Sequence, residues 1–177
     1  MVGLHLGYEG KICIGGLLVV KKNLSAIREK IGYVFQDADS QLFMSHVYEE
    51  LAFAPQNYGL SEPEVEARVK KALEMVHIEH LKDKQTYKMS GGEKKLVSIA
   101  TILAMRPGVI LMDEPSVALD PKNRRNLIHI LNGFRQLKII ASHDLDMILD
   151  TCSRVILMSD GEIIRDGDVK EILLDKE

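Results

Sequence analysis

Asp113 and Glu114 stand where the apolar run Val109-Ile110-Leu111-Met112 stops, and Pro115 follows them directly. An isolated ionised carboxylate is costly to remove from water unless a cation or a hydrogen-bond donor compensates it. Two adjacent acids at the end of a buried strand therefore call for a partner, and a metal ion bound to phosphate is the usual one. In that chemistry Asp113 holds the metal, directly or through water, and Glu114 is the general base that orients and deprotonates an attacking water. Taken alone, the pair reads more simply as strand-end acids that cap a helix or face solvent, because charged residues are mostly exposed.

Two further apolar runs end in polar groups of matching use. Ile139-Ile140-Ala141-Ser142 leads into His143, which can donate a hydrogen bond to a terminal phosphate, and Ile31 to Phe35 leads into Gln36, a ligand for a metal or a water. A single strand-end His is more often a surface or capped residue, since its ring is readily satisfied either way, and Gln36 alone carries little information. Ser90-Gly91-Gly92-Glu93-Lys94 has a sharper meaning. Ser90 can cap a helix while the two glycines leave its first N–H groups unobstructed, which makes an anion site or a plain N-cap with a glycine turn. The loop G-x-x-x-x-G-K-[ST] that cradles phosphates does not occur: Gly10-Lys11 is followed by Ile12, and His5 stands where the first glycine would be.

The elements that must position these groups alternate between strand and helix. Residues 11–20 are β-rich around a Gly15-Gly16 turn, 24–30 read as a short helix and 30–36 as a short strand. Ser61 and Glu64 have capping-box spacing, and Val65, Val69, Ala72, Leu73 and Val76 then recur at helical period. A helix begins near Gly91 with Ile99, Ile102 and Leu103 on its buried side, a strand ends at Asp113, and Pro121 after Asp120 opens another helix. The strand containing 137–143 follows; Asp160-Gly161 between two apolar runs predicts a hairpin, and 168–176 a closing helix. Strands separated by helices imply an α/β domain with a largely parallel sheet, whose ligands lie at the carboxyl ends of the strands. Gln36, Asp113-Glu114 and His143 converge there.

The 177 residues suit a single domain, and 23 basic against 26 acidic residues, for a net charge of −3, leave no basic footprint for nucleic acid. No apolar stretch approaches the roughly 20 residues of a bilayer span, and no secretory leader is recognisable. Cys13 and Cys152, far apart in apolar contexts, read as reduced, buried thiols, and no His or Cys pair has metal-ligand spacing.

Taken together, these segments resemble an ATP-binding-cassette (ABC) ATPase. Met89-Ser90-Gly91-Gly92-Glu93-Lys94-Lys95 is similar to the family signature, 109–115 to its Walker B strand with the general-base Glu, 117–120 to its D-loop, 141–144 to its switch histidine and 34–37 to its Q-loop. The order matches from about Gly10 to the C-terminus. Residues 35–61, with Gln36, Gln41-Leu42-Phe43 and Asn57-Tyr58-Gly59-Leu60, are similar to the cobalt, nickel and energy-coupling-factor importer ATPases. The resemblance implies a P-loop NTPase (RecA-like) α/β sheet, incomplete here, with an ABC helical subdomain at about 42–89. It implies ATP and Mg²⁺ as cofactors, with Ser90, Gly91, Gly92, Glu93 and Asp120 on nucleotide, Asp113 and Gln36 on the metal, and Glu114, His143 and Gln36 in catalysis. It further implies a transmembrane coupling subunit and a second ATPase subunit as partners, at the cytoplasmic face of the cell membrane.

The sequence departs from the family in lacking the phosphate loop, so that it aligns from just after that loop, with roughly the first quarter of a cassette unmatched. Gln36, Asp113, Glu114 and His143 act in the family on nucleotide held by their own subunit's loop. Ser90, Gly91 and Gly92 serve nucleotide on the opposite subunit. The expectation is an importer ATPase fragment with very low activity by itself; the alternative is a non-catalytic subunit that lends its signature to an intact partner. A DNA-repair or chromosome-associated ATPase of the same superfamily fits less well, because 35–61 is importer-like and no coiled-coil insertion is present. A sheet without the phosphate-loop strand is expected to show unpaired edges and uncovered apolar surface, suited to strand exchange or dimerisation.

Overall fold

The elements follow from these local signals. A computed structural model describes residues 8–174. Strands β1 (Cys13–Ile14) and β2 (Leu17–Leu18) form an antiparallel hairpin over Gly15 and Gly16, both at positive φ, as the tight turn requires. Helix α1 (Leu24–Arg28) leads into β3 (Ile31–Val34). Helices α2 (Val47–Asn57), α3 (Glu62–Met75) and α4 (Gly91–Ala104) precede β4 (Val109–Asp113). The chain then runs through α5 (Pro121–Asn132), β5 (Leu137–Ala141), α6 (Leu145–Thr151), β6 (Arg154–Ser159), β7 (Glu162–Asp168) and α7 (Val169–Leu173).

Strands β3, β4 and β5 make a parallel sheet in that order, with Val34 beside Met112 and Asp113 beside Ala141. That register brings the three carboxyl ends level. One sheet face packs on α4, whose Val97, Ile99, Ala100 and Ala104 are almost fully enclosed with Val34, Ile110 and Met112. Helices α2 and α3 close the far side of α4 through Leu51, Val65, Val69 and Leu73. On the opposite sheet face, α1 and the first hairpin cover Ile31 and Leu111. This cover stops short of β5, where Leu137 and Ile139 are 61% and 41% exposed.

Among the described residues β3 and β5 are edge strands, and the separate β6–β7 hairpin exposes Ile156, Met158, Ile163 and Ile164. The Asp160-Gly161 hairpin forms as the sequence predicts, with both turn residues at positive φ. Ser61 and Glu64 close their capping box, the Ser61 hydroxyl donating to Glu64 at 2.6 Å. Two expectations need correction. Cys13 is exposed and Cys152 half-buried, because a two-residue strand in a surface hairpin has nothing to bury both faces. Ile102 lies on the buried side as expected, half-buried and packed on the core where β3 approaches α4 at Gly32. The closing helix ends at Leu173, and residues 175–176 of its predicted span lie outside the described residues.

Candidate active site at the strand ends

Asp113 is the last residue of β4, and the Tyr33 hydroxyl on β3 donates to its Oδ2 at 3.4 Å. Burial, with the Asp113 charge beside it, raises the Tyr33 phenol above its ordinary value, so it remains a donor. Glu114 turns away from the strand with φ +43, a left-handed conformation uncommon outside glycine, while its N–H still donates to Ala141 O at 2.8 Å. Such backbone outliers gather at functional sites. The turn aims the Glu114 carboxylate at the end of β5. There its Oε2 accepts from the Ser142 hydroxyl at 3.0 Å, and its Oε1 accepts from the His143 N–H at 3.1 Å and lies 2.7 Å from His143 Nδ1.

Partial burial pushes the Glu114 carboxyl up, but the hydrogen bonds from His143 and Ser142 outweigh it and hold the group below the ordinary glutamate value. Glu114 is thus ionised at neutral pH, the form a general base requires. The His143 side chain is 80% exposed and free to meet a ligand on its other nitrogen.

Gln36 lies two residues beyond β3. Its carbonyl accepts from Lys95 Nζ at 2.7 Å, and Phe35 O accepts from the same ammonium at 3.0 Å. Lys95 is 3% exposed, and burial lowers its amine against the opposing pull of Asp37 and Asp113. Gln41 adds a second tie: its Oε1 accepts from the Phe35 N–H at 3.1 Å and its Nε2 donates to Ser98 O at 2.7 Å. The strand-end segment that carries Gln36 is thereby fastened to α4.

At the start of α4, Ser90 Oγ accepts from the Glu93 N–H at 3.3 Å, and Glu93 Oε2 accepts from the Ser90 N–H at 2.7 Å. Glu93 also pairs with Lys84 at 2.8 Å, so its carboxylate serves the cap and this ion pair. A Cβ at Gly91 would meet open space, and the first-turn N–H groups of Gly91 and Gly92 have no intrahelical acceptor. A Cβ at Gly92 would lie 2.7 Å from Asn123 Nδ2 on α5. Asp120 caps α5 by accepting from the Lys122 and Asn123 N–H groups at 2.9 and 3.0 Å.

The structure therefore unites Asp113, Glu114 and His143 on adjacent strand ends, sets Gln36 past the neighbouring end of β3, and places Ser90 to Glu93 with Asp120 around two helix starts. An anion fits the open first turn at Gly91. The carboxylate of Asp113 and the amide oxygen of Gln36 are hard oxygen donors of the kind Mg²⁺ takes, with waters and phosphate completing its shell. No cluster of three or more His, Cys, Asp or Glu side chains that could hold a metal by itself occurs among the described residues. Sequence reasoning missed Tyr33 and Arg124, and it met Gln41, Lys95, Ser142 and Asp144 only as members of larger motifs, without the ties they make here.

The family model for ABC transporters matches residues 1–117. The chain belongs to the ABC transporter ATP-binding family. Members of that family are nucleotide-binding ATPases, and this chain is an ATP-binding subunit of a transporter by that membership. It is 46% identical over 174 residues to a Geobacter sulfurreducens protein named as an ABC transporter ATP-binding protein, covering 96% of this chain and 70% of that one. A Gloeobacter violaceus protein of the same description is 43% identical, covering 98% of this chain and 72% of its own. Among solved structures, CbiO1 from Clostridium perfringens, described as part of the ABC transporter complex CbiONQ, superposes with a TM-score of 0.91 at 38% identity. It matches 99% of this chain and 72% of its own length. No helix among the described residues is long and apolar enough to cross a membrane.

Proposed function

We propose that the chain is the ATP-hydrolysing subunit of a membrane importer for cobalt, nickel or a vitamin, with Glu114 as general base. The observation that carries this is the Glu114 carboxylate, held ionised and aimed by Ser142 and His143 at the end of the central strand. Asp113 and Gln36 would hold Mg²⁺, which would neutralise phosphate charge. Glu114 takes a proton from the attacking water, and His143 keeps Glu114 oriented through Nδ1–H; with both ring nitrogens protonated, its exposed Nε2–H donates to the terminal phosphate. Ser90, Gly91, Gly92, Glu93 and Asp120 form the surface offered to nucleotide on a second ATPase subunit.

Residues 42–89 act as the helical subdomain that meets a transmembrane coupling subunit, which places the assembly at the cytoplasmic face of the cell membrane. Exposed aromatics support this docking role: Phe43 packs edge-on against Phe53 at 4.8 Å between ring centres, and both are exposed. The importer class rests on the resemblance of residues 35–61 and on the likeness to CbiO1.

With no G-x-x-x-x-G-K-[ST] loop in its 177 residues, the chain alone supplies no cradle for the phosphates. Titration calorimetry of this chain with Mg-ATP should show no binding at millimolar nucleotide. Joined behind a phosphate-loop segment from a complete cassette, the chain should hydrolyse ATP, and Glu114→Gln should lower kcat by about 10²–10⁴-fold with nucleotide binding intact. A joined protein that binds ATP and turns over equally well with and without the Glu114→Gln substitution would remove Glu114 from the mechanism.

A further inference from the structure

We propose that Arg124 is a positioning residue for the Glu114–His143 pair and acts through Asp144. The proposal rests on the roles given above to those two residues. Arg124 lies in the first turns of α5. Its Nε donates to Asp144 Oδ2 at 2.6 Å, and its second prong, Nη2, to Asp144 Oδ1. A two-pronged guanidinium–carboxylate pair fixes direction as well as distance, which an ammonium cannot do. Asp146 stands 3.7 Å from the same guanidinium, on the more exposed side.

Asp144 follows His143 directly. Its carboxylate also accepts from the Met147 N–H at 3.0 Å, capping α6, and lies beside the buried Ser116. Its own N–H donates to Ser142 Oγ at 3.1 Å, and the Ser142 hydroxyl donates onward to Glu114 Oε2 at 3.0 Å. An unbroken hydrogen-bonded series thus runs from Arg124 through Asp144 and Ser142 to Glu114. The His143 side chain, 80% exposed, has no packing to hold it. Its place on Glu114 is set by the backbone of the two residues that flank it, and Arg124 fixes one of them.

Arg124 also sits one residue after Asn123, which abuts Gly92 at the start of α4. The first turns of α5 therefore touch both the glycine pair offered to a second subunit and the loop carrying His143. A simpler role would make the Arg124–Asp144 pair a bolt between α5 and α6, serving stability alone.

The test is ¹⁵N-edited NMR of the His143 ring in the full 177-residue chain without nucleotide, beside thermal unfolding. The wild type should show a protonated Nδ1, read from the two-bond couplings of the ring nitrogens to the carbon-bound ring protons, as its 2.7 Å approach to an ionised carboxylate requires. Arg124→Gln and Asp144→Asn should lose that signature at temperatures where both remain folded, and Arg124→Lys should retain it in part. Asp144→Asn keeps a carbonyl to cap Met147, so it stays readable if Arg124→Gln fails to fold. Arg154→Gln, which cuts the comparable Arg154–Asp166 pair in the β6–β7 hairpin, should leave His143 unchanged. A lower unfolding temperature with an intact His143 signature would reduce Arg124 to a bolt, and absence of the signature from the wild type would overturn the proposal outright. Neither result bears on hydrolysis by the joined protein, which tests Glu114 separately.

Discussion

Gly32 is where the sheet comes closest to α4, and replacing it with alanine has a cost that can be worked from contacts. A Cβ at Gly32 would lie 1.9 Å from Ile102 Cγ2, 3.3 Å from Ile102 Cβ and 3.2 Å from Pro107 Cγ. Turning Ile102 to another rotamer removes the first overlap but leaves its Cβ and the proline ring too close, so α4 must retreat by a few tenths of an ångström. Overpacking of this kind costs about 1–3 kcal/mol. Alanine recovers roughly 0.5–1 kcal/mol of chain entropy relative to glycine, which leaves a net loss of about 0–2.5 kcal/mol. Ile102→Ala deletes Cγ2 and frees space at the contact, so Gly32→Ala in that background should cost less, with a coupling energy of about 1 kcal/mol. Urea unfolding followed by circular dichroism gives all four corners of the cycle. Equal costs in the two backgrounds, or a Gly32→Ala chain more stable than wild type, would refute the claim that this contact sets the distance between β3 and α4.

Two further outcomes follow from the ties around the site. Lys95→Met should change global stability by less than about 1 kcal/mol, because losing the charged hydrogen bonds is offset by relief of the buried ammonium and the Phe35 and Gln36 carbonyls regain water. Amide exchange measured by mass spectrometry should nonetheless rise roughly tenfold across residues 35–41; unchanged protection there would mean that Lys95 does not fasten the Gln36 segment. The Arg124 pair holds the Asp144 carboxyl well below its ordinary value of 3.8, so its stabilisation is complete above that pH and is lost as pH falls toward the depressed folded-state value. The stability gap between wild type and Arg124→Gln should lie between the roughly 0–1 kcal/mol of an exposed pair and the 3–5 kcal/mol of a buried one. It should be flat from about pH 5 to 7 and shrink below about pH 4; a gap that widens in acid would contradict the assignment.

Asp113, Glu114 and His143 were legible because each ends an apolar run, and parallel strands bring such ends level. The resemblance then supplied roles that no single residue carried. Arg124, Lys95 and Gln41 were not legible, since each acts on a partner far along the chain: Gln41 on Ser98, Lys95 on Gln36, Arg124 on Asp144. Spacing rules reach only a few positions. Helix α6 escaped for another reason, because Leu145–Thr151 is too short to display a helical period. The cap of α2 is His46, whose type gives weaker notice of a helix start than the Ser61 that caps α3. Glu93 carries ties that its motif did not display: its carboxylate closes the cap with Ser90 and pairs with Lys84.

The parallel pairing of β3 with β4 has a consequence for how the chain reaches this fold. Ile31 and Val109 are partners although roughly eighty residues separate them, and closing so long a loop carries an entropic cost that grows with its length. The intervening α2, α3 and α4 form a cluster with each other through far shorter separations, so their collapse draws the two strands together before any sheet hydrogen bond exists. Low-separation contacts favour helix order ahead of strand pairing, which would leave β3 and β4 with unpaired edges until that last step. Mutations that loosen the three-helix cluster would thus slow sheet formation and lengthen the time during which β3 and β4 stand unpaired and open to aggregation.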